Sequence, residues 1–171
     1  MKKRAMIALV VLGLIVSAAP VLAGQKSTPE AMIGRARAAV RNPDGSRDAI
    51  LKALVEVLDA SLMILPKTDY ADEFRSRVEW VRGSLEEGDL FSDKARQYLG
   101  LAYKLVADGS LWQVPEELKS AASAKKGIER ATEICVELLD SALAERKAGN
   151  DEKAVRRLIE FVLLVVTPIE A

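Results

Sequence analysis

Glu129, Glu133, Glu137 and Asp140 recur at spacings of four, four and three residues, which on a helix sets four carboxylates along one face. Converging carboxylates are the donors that calcium and manganese prefer. Lys126 and Arg130 fall on that same face with compensating charge, and one helix alone cannot surround a cation with the roughly six oxygens it needs. The row therefore predicts a solvated face laced with ion pairs, not a metal site. Acids cluster again at Asp69, Asp72 and Glu73, beside an expected helix start, and at Glu86, Glu87 and Asp89, beside an expected helix end. The first cluster favours its helix dipole and the second opposes it. A glycosidase-like pair requires acids from two helices aimed into one cleft, and no spacing along the chain implies that convergence.

The chain has no histidine. That removes the commonest general base, the commonest transition-metal ligand and the usual near-neutral pH switch together. Imidazole-ligated haem, Glu-x-x-His di-iron sites and Ser-His or Cys-His nucleophiles go with it. Cys135 is the single cysteine and has no intramolecular disulfide partner. Ile128, Ala131, Leu138, Leu139 and Ala142 share its side of a 3.6-residue wheel, and no cation does, which predicts a small buried core residue rather than a reactive thiol. No Gly-rich phosphate loop, Gly-x-Ser-x-Gly elbow or EF-hand spacing occurs. The residues call for no catalytic set, no metal and no cofactor.

The first two dozen residues carry the clearest functional signal. Lys2, Lys3 and Arg4 precede an apolar run from Ala5 to Ala19, followed by Pro20-Val21-Leu22-Ala23. This is the pattern of a cleavable signal peptide, residues 1–23, with the cut expected after Ala23. The apolar run is shorter than the ~20 residues that span a bilayer comfortably, which weighs against a retained anchor. Gly24 and Gln25 stand where a lipoprotein would place its acylated cysteine. The expected location is periplasmic or extracellular, with residues 24–171 forming one all-helical domain and no membrane association after cleavage. Lys and Arg together number 25, as do Asp and Glu. Losing Lys2, Lys3 and Arg4 leaves acids in excess by three, a balance that argues against nucleic-acid binding. Pairs such as Lys125-Lys126 and Arg156-Arg157 are expected to be solvated helix edges.

The elements that position these residues all carry helical signals, and no strand-like alternation appears. Thr28-Pro29-Glu30 supplies an N-cap hydroxyl, a first-turn proline and an early acid, opening a helix to about Arg41. Asn42-Pro43-Asp44-Gly45 is a turn, and Ser46 can cap a helix over about Arg47 to Leu65. Ile50, Leu51, Leu54, Val55, Val57, Leu58, Leu62, Ile64 and Leu65 cover most of that helix's wheel, leaving a strip of Lys52, Glu56 and Asp59. A helix apolar nearly all round must be central. A third helix, Tyr70 to about Glu87, places Tyr70, Phe74, Val78, Val81 and Leu85 on one side, and a fourth, Ser92 to Ala107, does the same with Ala95, Leu99, Ala102 and Val106. Leu111, Trp112 and Val114 form an apolar linker, expected to plug one end of the bundle. Trp80 is expected to be a core or rim aromatic.

Pro115-Glu116-Glu117 is read as the start of one long helix to about Ala148, with Leu118, Ala121, Ile128, Cys135, Leu139 and Ala142 inward. Gly149-Asn150 breaks it, and a last helix carries Val155, Leu158, Ile159 and Val162 toward Pro168. The joint at Gly149-Asn150, with Ala154, Leu158 and Phe161 after it, resembles the turn of tetratricopeptide-type helical hairpins, but no second copy follows at a fixed period.

The fold expected is an all-α, antiparallel helical bundle of five or six helices after the signal peptide. Phe161-Val162-Leu163-Leu164-Val165-Val166 stays apolar beyond the width of one helix face. It is read either as a helix wedged between neighbours or as a surface for a protein partner or homo-oligomer through Phe161, Leu163, Leu164 and Val166. The function expected is that of an exported, non-enzymatic interaction or self-association module. The alternative is a carrier of a small apolar ligand, held in the bundle core beneath Leu111-Trp112.

Overall fold

The computed structural model describes residues 6–7, 27–42, 46–121 and 123–170, so most of the expected signal segment lies outside the described residues. The helices are α1 (Pro29–Arg41), α2 (Arg47–Ile64), α3 (Ala71–Glu86), α4 (Asp93–Val106), the single turn α5 (Glu116–Lys119), α6 (Ala124–Lys147) and α7 (Asp151–Val166). Hydroxyl caps set four starts: Thr28 accepts from the Ala31 amide, Ser46 from Ala49, Ser92 from Ala95 and Ser123 from Lys126. Gly149 closes α6 with φ +78°. Its amide donates to the Arg146 carbonyl and that of Asn150 to Glu145, the paired bonds that a left-handed residue after a helix makes possible.

The bundle is a two-layer array. One layer is α1–α2–α3, the other α6–α7–α4, and the layers meet as α1 on α6, α2 on α7 and α3 on α4. Polar contacts give the directions. Arg146 reaches Glu30 while Arg37 reaches Asp140, so α1 and α6 are antiparallel. Arg47 donates to the Gly88 carbonyl while Arg82 pairs with Asp59, so α2 and α3 are antiparallel. Tyr103 donates to Glu160 while Arg96 faces the Val166 carbonyl, so α4 and α7 are antiparallel. The middle helix of each layer is enclosed, which is why α2 and α7 carry the widest apolar surface. One continuous cluster of buried side chains runs through all of this, including Ile33, Leu54, Leu58, Phe74, Leu99, Leu139, Leu158 and Phe161.

Two expectations are corrected here. The long helix from Pro115 is two pieces, which raises the count to seven among the described residues. The interruption falls at Ser120–Ser123, where Ser123 is extended (φ −158°, ψ 157°) and spends its hydroxyl capping α6 instead of continuing a helix. Leu118 is still buried, but from α5, and Ala121 lies outside both helices. The second correction is a short extended pairing: Met6–Ile7 runs antiparallel to Ile169–Glu170, with Met6 opposite Glu170 and Ile7 opposite Ile169. Because α6 runs antiparallel to α1 and ends where α7 begins, the connection from α4 to α6 must return along the length of the bundle. Trp112 and Val114 on that connection pack half-buried against the core.

Candidate functional site

The carboxylate row of α6 is neutralised locally. Arg130 holds Glu133 at 2.8 Å and Glu137 at 3.2 Å, and draws in Glu117 of α5 at 2.9 Å. These hydrogen bonds, that of Glu117 foremost, raise the Arg130 pKa. Asp140 accepts two hydrogen bonds from Arg37 of α1, which hold its carboxyl below the usual range. Glu129 stands 3.9 Å from Lys125. Among the described residues, no group of three His, Cys, Asp or Glu side chains could hold a metal ion. The other acids do not converge either: Glu73 pairs with Arg77 and Glu86 with Arg82, each within α3. Cys135 is fully buried, and that burial pushes its thiol up to about 12.

Phe161, Leu163, Leu164 and Val166 lie inside the folded chain, none more than 3% exposed. They are therefore not an accessible association surface. The physical reason is the place of α7 between α6 and α4 and against α2, in the layer that the returning connection spans from α4 to α6. What six consecutive apolar residues need is supplied within the chain.

Exposed apolar surface occurs at the α3/α4 edge. Trp80 and Leu101 are each 37% exposed, and between them the Trp80 and Tyr98 rings meet edge-to-face with centroids 4.9 Å apart. The Lys94 ammonium sits 4.5 Å from the Trp80 centroid and 5.5 Å from that of Tyr98. Lys94, Tyr98 and Leu101 follow at i, i+4 and i+7, so α4 presents them as one stripe. A concavity lies on the outer side of α2. Leu51, Val55 and Leu85 line a groove of 390 Å³ rimmed by Asp48, Lys52, Glu56 and Glu86. It coincides with the polar strip of Lys52 and Glu56 and is separate from the Leu111-Trp112 linker. In that linker Leu111 points away from the core at 72% exposure while Trp112 packs against it.

Comparison with family models, with curated proteins and with solved structures finds no match.

One charged group is enclosed in α7. Glu160 is 8% exposed between Ile159 and Phe161. Its Oε1 accepts from the Tyr103 hydroxyl at 3.1 Å and from Arg156 Nε at 3.3 Å, and its Oε2 from Arg157 Nη1 at 2.8 Å. Burial, with the Glu160 charge beside it, raises the Tyr103 pKa. Arg156 and Arg157 are thus tied down rather than being a free solvated edge. The signal in the sequence was Arg156 one turn before a lone acid inside an apolar run; nothing local identified Tyr103, which lies 57 residues earlier.

Proposed function

We propose that the chain is an exported, non-enzymatic helical module that docks a protein partner or a second copy through the α3/α4 edge. The observation that carries this reading is the α3/α4 edge, where Trp80 and Leu101 are exposed and the half-buried Tyr98 meets the Trp80 ring edge-to-face. Trp and Tyr concentrate binding energy in small patches. Among the described residues the first helix begins after the expected cleavage point, with Thr28 as its cap. Among the described residues no helix is long and apolar enough to cross a membrane.

The test is the mass of the native chain purified from exporting cells, compared with a Trp80→Ala, Leu101→Lys variant. A multimer that the variant dissociates, with thermal unfolding little changed, supports self-association. If the wild type is monomeric, a photo-crosslinker at Leu101 should give one defined adduct that Trp80→Ala abolishes. Unchanged association together with no adduct refutes the proposal.

The carrier alternative draws support from the α2/α3 groove rather than from an enclosed core site. Melting that rises with an added apolar ligand, and no longer does so in Val55→Glu, would favour it.

A further inference from the structure

We propose that Arg156 and Arg157 form an oxyanion-binding site for a phosphate group, free or carried as a monoester. This is independent of the α3/α4 proposal. The starting point is a charge mismatch: one buried carboxylate, Glu160, holds two guanidinium groups. A single partner would have neutralised it. Each guanidinium has about five N–H donors, and each spends one on Glu160. The two side chains are 39% and 40% exposed, which leaves part of each guanidinium open to solvent.

Both arginines are held before any ligand arrives. Arg156 is fixed by Glu160 and stands over the Tyr103 ring, 5.6 Å from its centroid, while Tyr103 is itself buried. Arg157 is fixed by the other carboxylate oxygen. Lys153 adds a third cation at i−3 and i−4 on the same face of α7. The two acids that open α7 are engaged elsewhere, Asp151 on Arg146 and Glu152 on Tyr70. Three cations over one carboxylate suit a dianion with several oxygens, and planar forks bound to a fixed anchor suit phosphate better than a spherical halide.

The test follows the arginine Nε–H resonances of the full chain from exporting cells during titration with inorganic phosphate at low ionic strength, with chloride at matched ionic strength as reference. The Arg156 and Arg157 signals should shift saturably with phosphate and not with chloride. Arg157→Gln should bind at least tenfold more weakly, and Glu160→Gln should bind more tightly, because it removes the underlying negative charge; a purely structural triad predicts no gain. Should Arg157→Gln fail to fold, Arg157→Lys keeps the charge without the fork and should still weaken binding. Phenyl phosphate binding tighter than inorganic phosphate points to an ester ligand, and equal binding to the free ion. No saturable shift, an equal response to chloride, or wild-type affinity in both Arg157 variants overturns the proposal.

Discussion

Replacing Leu164 by alanine separates the two roles that the apolar C-terminal run can play. Leu164 is 3% exposed in the single chain, on the helix that touches α2, α4 and α6. Truncation removes a leucine side chain's transfer free energy and leaves a cavity that helices held on three sides cannot collapse. Buried Leu→Ala changes of this kind cost about 3–5 kcal/mol. For a chain of this size each kcal/mol lowers the melting temperature by about 2–4 °C, so a fall of at least about 6 °C is expected. The assay is thermal and urea unfolding at several protein concentrations, with native mass measured in parallel. The loss should be independent of concentration and leave the assembly state of the folded molecules unchanged. Stability altered by less than about 0.5 kcal/mol, or a loss that appears only as altered mass, would refute the placement of Leu164 in the interior.

Cys135 binds its proton more tightly folded than unfolded, because burial lifts its pKa from 9.0 to about 12. Its contribution to stability is therefore complete below pH 9 and is lost as pH rises between those values. Wild type should lose stability relative to Cys135→Ala by up to about 1.4 kcal/mol per pH unit over that window, read by urea unfolding from pH 8 to 10. Ser123→Ala removes the cap that separates α5 from α6 and should cost about 1 kcal/mol in the same assay. Gly149→Ala places a side chain at φ +78° and should cost about 1–2 kcal/mol despite open space around the position; no loss would contradict the left-handed turn. Calcium or manganese at millimolar concentration should leave the melting temperature unchanged, since Arg130, Arg37 and Lys125 already occupy the carboxylate row.

Most helix boundaries were legible because the chain marks them with local chemistry: Thr28, Ser46 and Ser92 before helices, Gly88 and Gly149 after them. Such signals act within a turn, so a single sequence displays them whole. The break before α6 was missed for a related reason. Ser120 and Ser123 lie among alanines and lysines that favour helix, and whether a serine caps or joins a helix depends on what the adjoining segments pack against. The same limit applies to the candidate site. Trp80 and Tyr98 meet across two helices and Tyr103 and Glu160 across 57 residues, so neither pairing has a local signature.

The apolar run of α7 shows where periodicity stops being informative. In α2, a wheel apolar nearly all round was read as centrality, and Leu54, Val57 and Leu58 are indeed fully buried. The run from Phe161 to Val166 has the same character, yet an apolar surface wider than one helix face admits an external partner as well as neighbouring helices, the reading the sequence favours. Hydrophobic burial is non-directional, so a sequence states how much surface must leave water and not which surface receives it. The two-layer order settles the recipient. With α2 in the middle of one layer and α7 in the middle of the other, the two broad apolar helices face each other, and each meets the other's demand. The most apolar helices of the chain are thus enclosed by one another, and the apolar side chains left exposed on α3 and α4, Trp80 and Leu101, lie at an edge of the layers.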